Sequence, residues 1–251
     1  MKYDDYIFDL YGTLVDIHTD EDAPELWAAM AAYYSQQGAE WQAAELRAAY
    51  RRLTAAAEAE MSGVSLRRDA HEAHPEIQIE FVFQKLFREK GVDADLEEAV
   101  RAGRRFRELS TEYIRLYSGA KELLQSLRDG GGRVWLLSNA QSIFTGWELD
   151  QLGLKPYFDG IYLSSDYGVK KPDRRFFDVL LQERRIRPDR AVMIGNDGQC
   201  DIRGGREAGL STLYIRSNLS PDEPLPEADF VLEEMDLDRV RSLLAAQSCE
   251  A

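Results

Sequence analysis

The chain has 251 residues, of which 44% are hydrophobic and 30% are charged, so it can form one large domain or a core with a smaller inserted unit. Its formal net charge of -14 argues against nucleic acid or an anionic membrane as the main partner. No apolar run is long enough to span a membrane, and Cys200 and Cys249 fit no zinc or redox spacing. Because the first strand begins without a basic and apolar leader, we expect a cytoplasmic protein.

The first predicted strand delivers one acid, Asp9, to a turn close to the N-terminus. Ile7 and Phe8 favour a buried strand, whereas Gly12 tolerates backbone angles that other residues resist, so the strand should end shortly after Asp9. Open α/β sheets bind ligands beyond the carboxyl ends of their strands. Asp9 is therefore a candidate nucleophile or metal ligand, and the alternative is an acid that caps a turn.

A long insertion with helical spacing follows the first strand. Apolar stripes predict helices near residues 26–34, 41–61, 75–90 and 96–116, with almost no strand signal between residues 17 and 117. The aromatic side chains of these stripes are expected to form helix-helix contacts. We therefore predict an all-α inserted unit at residues 17–117, between two parts of a core at residues 1–16 and 118–251.

The second part of the core alternates helices with strands. Its predicted strands are wholly apolar, as is typical of parallel strands covered by helices on both faces, so the fold class is α/β with a mostly parallel sheet. The predicted helices lie at residues 120–128, 142–152, 174–185, 201–208 and 237–246, and the predicted strands at residues 133–139, 160–165, 191–195, 212–215 and 230–232.

Two polar signals lie where these strands meet helices. Ser138 and Asn139 end one strand, and a hydroxyl beside an amide can hold an oxyanion, although Ser-Asn is also an ordinary turn or cap pair. Lys171 precedes Pro172 at the start of a helix, where its charge could neutralise a bound anion or keep a carboxylate ionised. The alternative for Lys171 is an exposed lysine before a helix.

A third signal is the acidic run that contains Asp197 and Asp201. It follows the predicted strand at residues 191–195 and meets the positive end of a helix. Because strand ends converge on one rim of the sheet, these acids should lie near Asp9. Such an oxygen-only cluster suits Mg²⁺, which takes few protein ligands and retains waters.

These motifs, in this order, resemble the four motifs of the haloacid dehalogenase-like hydrolase superfamily. The matching stretches are Asp-x-Tyr-Gly-Thr at Asp9, Ser-Asn at Ser138, Gly-x-x-Lys-Pro at Lys171, and Gly-Asn-Asp-x-x-x-Asp-Ile ending after Asp201. The helical insertion looks like that superfamily's C1 cap, so the resemblance covers essentially the whole chain. It implies a Rossmann-like core in which Asp9 forms a covalent aspartyl intermediate that water hydrolyses.

The resemblance also implies roles for the other motif residues. Ser138, with Asn139, and Lys171 would hold the transferring group, and Thr13 would support the loop of the first motif. The implied Mg²⁺ ligands are the Asp9 carboxylate, the main-chain carbonyl of Tyr11, and the acids Asp197 and Asp201.

The first motif departs from the phosphatase pattern at Tyr11. Phosphatases of the superfamily usually have a second Asp there, which protonates the leaving alkoxide, whereas Asp-x-Tyr-Gly-Thr resembles the metal-independent L-2-haloacid dehalogenases. Three features argue against a dehalogenase. Those enzymes have Ser-Asn-x-x-Asp as the fourth motif, where this chain has the acids Asp197 and Asp201. They also have a Tyr shortly after Lys-Pro, where this chain has Phe176 and Phe177. Their arginine-rich cap stretch is also missing after Asp16.

The fourth motif has two possible registers. Superfamily members space its acids by four or five residues, which selects either Asp197 or Asn196 as the partner of Asp201. We favour Asp197 because a hard dication gains more from a charged oxygen. A site that needs no cofactor would have little reason to gather these acids against their mutual repulsion.

The sequence therefore predicts a Mg²⁺-dependent phosphatase of a small phosphorylated metabolite, with no nucleic acid or membrane partner. The alternatives are a metal-independent L-2-haloacid dehalogenase and a catalytically impaired phosphate-binding module. His18, near the start of the insertion, could replace the missing acid, or it could be an exposed hinge residue. The substrate and the oligomeric state are not predicted.

Overall fold

The computed structural model describes residues 2–65 and 74–246, and it consists of an α/β core with a mainly helical insertion. The strands are β1 (Asp5–Phe8), β2 (Val15–Thr19), β3 (Thr111–Leu116), β4 (Arg133–Ser138), β5 (Gly160–Leu163), β6 (Ala191–Gly195), β7 (Ser211–Ile215) and β8 (Phe230–Leu232). Six of these strands form one sheet in the order β5-β4-β1-β6-β7-β8, and each neighbouring pair is parallel. The predicted α/β class with a parallel sheet is confirmed.

Helices cover both faces of this sheet and also build the insertion. The α-helices are α1 (Pro24–Gln36), α2 (Ala43–Ser65), α3 (Glu80–Glu89), α4 (Leu96–Ser110), α5 (Ala120–Asp129), α6 (Ser142–Gln151), α7 (Ser164–Tyr167), α8 (Arg174–Glu183), α9 (Gly204–Glu207) and α10 (Leu237–Ala246). Short 3-10 helices lie at Lys155–Tyr157 and Pro188–Arg190, and a π-helix at Gly198–Arg203. None of the helices within the described part of the chain is long and apolar enough to cross a membrane.

The central strand β1 explains why helices pack on both faces of the sheet. Its side chains alternate, so Tyr6 and Phe8 join one apolar cluster with Leu123 of α5, while Ile7 joins a second cluster with Phe176 of α8. Both clusters exclude water from β1, which is fully buried. The carboxyl end of β1 therefore lies in the middle of the sheet edge, with β4 and β6 on either side.

The insertion has an apolar core of its own. Aromatic rings from different helices contact one another there: the ring centroids of Tyr34 and Phe87 lie 4.4 Å apart, and those of Tyr50 and Phe106 lie 5.1 Å apart. Tyr34, Phe87 and Phe106 belong to one cluster of buried residues, and the partly buried Tyr50 packs against it; this cluster is distinct from the two clusters on the sheet. The packing role predicted for the aromatic stripes of the insertion thus agrees with the observed contacts.

The insertion is not purely helical, and the sequence-based helix at residues 96–116 was wrong at its end. Helix α4 stops at Ser110, and residues 111–116 form β3, which pairs antiparallel with β2. Ile17 faces Ile114 in this pair, and Thr111 and Tyr113 also favour strands. Pairing with β2 overrides the helical spacing, so a two-stranded ribbon joins the insertion to the core.

Other element ends also differ from the sequence-based ranges. Helix α3 begins at Glu80 instead of residue 75, because residues 76–79 are held by hydrogen bonds to the core: Gln141 donates to Ile77 and accepts from Ile79. The predicted helix at residues 201–208 is a π-helix followed by α9. The predicted strand at residues 160–165 ends at Leu163, where α7 begins.

Candidate active site

The predicted site residues, with the exception of Thr13, line one cavity of about 170 Å³ at the carboxyl edge of the sheet. Asp9 follows β1, Ser138 ends β4, Lys171 lies just before α8, and Asp201 lies in the π-helix that follows β6. Convergence at this edge follows from the parallel strands, whose carboxyl ends all point the same way. The predicted residues that line the cavity are Asp9, Tyr11, Ser138, Asn139, Lys171, Asp197 and Asp201.

Lys171 joins two carboxylates at the centre of this site. Its ammonium nitrogen Nζ lies 2.8 Å from Asp9 Oδ1 and 2.6 Å from Asp201 Oδ1, and it donates to the carbonyl oxygen of Leu137 at 2.7 Å. Burial alone would lower the pKa of Lys171, but the charges of Asp201 and Asp9 raise it well above its ordinary value. The side chain is therefore a permanent cation, and it is almost completely buried.

The two carboxylates share this one ammonium, so the cluster has an excess of negative charge. Burial raises the pKa of Asp201 to about 7; Lys171 opposes the rise and Asp9 adds to it. Gly195 at the end of β6 permits the close approach, because a Cβ there would overlap the Asp201 carboxylate. A cation or the electrophilic centre of a substrate would relieve the excess charge.

Two hydroxyl groups orient the Asp9 carboxylate. Ser138 donates to Oδ1 at 3.1 Å, and Thr13 makes a longer contact of 3.4 Å with Oδ2. Thr13 does not line the cavity, and it also donates to Asn196 Oδ1 at 3.3 Å. Gly12, with φ +84°, lets Asn196 pack against the loop, because a Cβ there would collide with the Asn196 amide. Oδ2 of Asp9 is thus the less tightly held oxygen.

Asn139 connects two motifs. Its side chain donates to the carbonyl oxygen of Lys171 at 2.9 Å and accepts from the Lys171 amide nitrogen at 2.8 Å. Both polar atoms of this amide are therefore used to position the main chain of Lys171. The predicted substrate-binding role of Asn139 stays a prediction, and the contacts observed for its side chain are those of a positioning residue.

The fourth motif supplies one buried acid and one capping acid. Oδ2 of Asp201 accepts from the Asp197 amide at 3.0 Å, whereas Oδ1 of Asp197 accepts from the amides of Gln199 and Cys200 at 2.8 Å and 2.7 Å. The Asp197 carboxylate thus caps the π-helix. To bind a metal, Asp197 would have to use its second oxygen or give up this cap.

The donor atoms of the cavity fit a hard cation. Among the side chains in residues 2–65 and 74–246, no group of three or more His, Cys, Asp and Glu residues is placed to hold a metal ion. Asp9, Asp201 and Asn196 nevertheless line one cavity with Asp197. Such an oxygen-rich set fits Mg²⁺, which uses one or two carboxylates and keeps several waters.

The hydroxyl group of Tyr11 is engaged outside the carboxylate cluster. It donates to Glu148 Oε2 and lies 2.8 Å from Thr145 Oγ1, both on α6. Arg107 of α4 completes this group, because its Nε donates to Glu148 Oε1 at 2.6 Å. Burial, together with the charge of Glu148, raises the pKa of Tyr11 well above its ordinary value. Tyr11 therefore remains protonated, and its proton is directed to Glu148.

Sequence reasoning missed several residues of this region. Glu148 and Thr145 lie one helical turn apart on the buried side of α6, and the only signal for them was a polar pair on that face. Arg107 is one of several charged residues of α4, and nothing in the sequence distinguishes it from the others. Leu219 and Pro221 also line the cavity, and no motif marks them.

His18, by contrast, lies away from the cavity. Its side chain is 55% exposed on β2, and its Nε2 lies 3.7 Å from Glu112. These contacts correspond to the exposed hinge histidine that the sequence analysis gave as the alternative to a catalytic role.

Comparison with known proteins identifies a family and several relatives. The family model described as haloacid dehalogenase-like hydrolase matches residues 4–209. A phosphoserine phosphatase from Thermus thermophilus is 33% identical over 149 residues, which is 57% of this chain and 60% of the relative. The pyrimidine 5'-nucleotidase YjjG from Escherichia coli is 35% identical over 102 residues, 40% of this chain and 44% of the relative.

These matches cover only part of each relative, between 44% and 60% of its length. Among solved structures, a 2-haloacid dehalogenase from Pseudomonas syringae has a TM-score of 0.61 at 20% identity, with 96% of this chain and 97% of the other covered. At that identity the likeness establishes the shared fold alone.

Proposed function

Because the chain belongs to the haloacid dehalogenase-like hydrolase family, we propose that it is a Mg²⁺-dependent phosphatase that acts on a small phosphorylated compound in the cytoplasm. The observation that carries this proposal is the buried Asp9 carboxylate, which is held by Lys171 and Ser138 at the sheet edge. Relatives that are named as phosphatases support the same chemistry. No membrane or nucleic acid partner is proposed.

In the proposed reaction, Asp9 is the nucleophile. Lys171 and Ser138 hold Oδ1, so Oδ2 attacks phosphorus; the new Oδ2–P bond forms as the ester P–O bond breaks, and the leaving oxygen takes the bonding electrons. Water then attacks the phosphorus of the aspartyl phosphate, which releases inorganic phosphate and restores the carboxylate. Lys171 and Ser138 also hold the transferring group, and Thr13 supports the loop.

The proposed Mg²⁺ ligands are Asp9, the main-chain carbonyl of Tyr11, Asp201 and Asp197, with Asn196 as the alternative to Asp197. When bound, the ion would neutralise charge on the phosphoryl group. The excess negative charge of the Asp9–Lys171–Asp201 cluster supports a cation at this position.

A screen of phosphate esters with and without Mg²⁺ tests the proposal. We expect the wild type to release phosphate from p-nitrophenyl phosphate only with Mg²⁺, and we expect Asp9→Asn to reduce that rate to the uncatalysed level because the variant lacks the nucleophile. Asp189→Asn is the matched control, since Asp189 pairs with Arg187 on the surface. Phosphate release by Asp9→Asn at the wild-type rate would contradict the assignment of the nucleophile.

A dehalogenase is the second candidate. The Tyr11 hydroxyl donates to Glu148, and a halide, unlike an alkoxide, leaves without needing a proton. Halide release from 2-chloropropionate in EDTA, with no ester hydrolysis, would replace the proposal by this alternative.

A third outcome concerns the covalent step. Ligand binding without an acyl phosphate at Asp9, as seen by mass spectrometry of quenched samples, would indicate a phosphate-binding module.

The role of the Tyr11 hydroxyl leads to a separate prediction. Because that hydroxyl donates to Glu148, we expect Tyr11→Phe to change kcat for p-nitrophenyl phosphate by less than about threefold, whereas loss of a general acid typically costs about 10²–10⁴-fold. Steady-state kinetics of the wild type and of Tyr11→Phe, on this ester and on an alkyl phosphate, measures the change in kcat for each substrate. If Tyr11→Phe lost activity selectively on the alkyl ester, the hydroxyl would be the proton donor after all.

A further inference from the structure

A loop outside the insertion lies beside the reacting groups. Residues 216–229, between β7 and β8, form this loop, which we call the wall loop. Two of its residues, Leu219 and Pro221, line the same cavity as Asp9 and Lys171. Leu219 is partly buried and Pro221 is exposed, so an apolar surface borders the mouth of a polar cavity.

One end of the wall loop is tied to the ribbon that leads into the insertion. Asn218 Nδ2 donates to Asp16 Oδ1 at 2.9 Å, and the hydroxyl of Tyr117 donates to Asn218 Oδ1. Arg115 donates to the other oxygen of Asp16. Burial opposes ionisation of Asp16, but hydrogen bonds from Asn218 and Arg115 hold its pKa below the ordinary value. Asp16 is therefore a charged anchor for the loop.

The other end of the wall loop packs against the fourth motif. Pro226 lies close to Gly198, where an added Cβ would be 3.3 Å from the proline ring, and Arg206 donates to the Glu227 carbonyl at 2.8 Å. Between the two anchors, Ser217 and Ser220 form a tight turn in which the Ser217 amide donates to the Ser220 hydroxyl at 3.0 Å. The segment that carries Leu219 is thus held in place before substrate binds.

We propose that the wall loop is a preformed side of the substrate site and that Leu219 is a specificity-determining residue that contacts the apolar part of the leaving group. This inference rests on the proposed phosphatase function. The remaining described side chains that line the cavity are polar or charged apart from the ring of Tyr11 and the thiol of Cys200, so they suit the phosphoryl group. A leaving group with an aromatic or aliphatic surface gains the contact with Leu219, whereas a small one does not reach it.

The test compares two phosphoryl donors that differ in apolar surface, the ester p-nitrophenyl phosphate and the small acyl phosphate acetyl phosphate. We expect Leu219→Ala to lower kcat/KM for p-nitrophenyl phosphate about tenfold, the size of effect that a lost apolar contact produces, and to leave acetyl phosphate within about twofold. Leu225→Ala is the matched control, because Leu225 belongs to the same loop, is 42% exposed and does not line the cavity. We expect it to leave kcat/KM unchanged for both compounds.

The result separates this inference from the proposed function. Hydrolysis by the wild type above the Asp9→Asn background reports on the phosphatase, whereas the ratio of kcat/KM for the two compounds in Leu219→Ala reports on the wall loop. Equal changes in kcat/KM for both compounds, or no change for either, would overturn the role of Leu219 alone. Binding of phenylphosphonate and methylphosphonate, measured by calorimetry, gives a readout without turnover. We expect Leu219→Ala to weaken the binding of phenylphosphonate and to leave the binding of methylphosphonate unchanged. Equal effects on the binding of both compounds would again overturn the inference.

Discussion

Replacing Lys171 by methionine is expected to lower the free energy of unfolding by about 3–5 kcal/mol, the usual cost of removing one partner from a buried ion pair. Methionine nearly matches the shape of lysine but leaves the carboxylates of Asp9 and Asp201 in the protein interior without a cation. We also expect turnover to fall by at least about 10²–10³-fold, because the variant lacks the charge that holds the Asp9 carboxylate, which is the proposed nucleophile.

The loss of stability in Lys171→Met should grow with pH. Burial and Asp9 already raise the pKa of Asp201 to about 7 in the presence of Lys171, and removal of the ammonium raises it further. A raised carboxyl pKa contributes stability at low pH, and that contribution disappears as pH rises through the folded-state pKa. The difference between variant and wild type should therefore be larger at pH 8 than at pH 5.

Urea unfolding in EDTA at both pH values measures this difference. Lys170→Met is the matched control, since Lys170 is 38% exposed and its contact with the Glu76 carboxylate is long, at 4.0 Å. A destabilisation of Lys171→Met that did not depend on pH, or one no larger than that of Lys170→Met, would show that Lys171 does not neutralise the buried carboxylates.

Replacing Arg107 by methionine is the second change with a large expected effect. The Arg107 side chain is 14% exposed and that of Glu148 is 2% exposed, so the variant leaves a buried carboxylate that still accepts a hydrogen bond from the Tyr11 hydroxyl but has lost its cation. We expect a loss of about 3–5 kcal/mol in the free energy of unfolding. Because Arg107 lies on α4 and Tyr11 in the loop after Asp9, the same change should loosen the contact between insertion and catalytic loop.

A double variant separates the charge of Glu148 from its packing. In Arg107→Met/Glu148→Gln, the buried charge that Arg107 paired with is removed as well, so we expect most of the lost stability to return. Arg105→Met is the matched control on the same helix; its partner Glu108 is 3.3 Å away in an exposed pair, and we expect an effect within about 0.5 kcal/mol. Thermal or urea unfolding of the four proteins gives the comparison. No recovery in the double variant would mean that Arg107 stabilises the fold by packing alone.

The sequence by itself determined the α/β class and the chain positions of Asp9, Ser138, Lys171 and Asp201. It could do so because apolar runs predict parallel strands, and the carboxyl ends of parallel strands meet at one edge. Polar residues directly after those strands must therefore lie close together. The order of four short motifs carried the same information, and the match of the family model to residues 4–209 agrees with it.

Only the tertiary structure showed which residues contact one another over long distances in the chain. Glu148 and Arg107 come from separate helices, and their pairing depends on how α4 packs beside α6. The strand β3 exists because β2 lies opposite it, and local spacing alone favoured a helix. Leu219 reaches the cavity because Asn218 binds Asp16, a residue 202 positions away in the chain. Such contacts leave no local pattern, since any residue of suitable size and charge can make them once the fold brings it there.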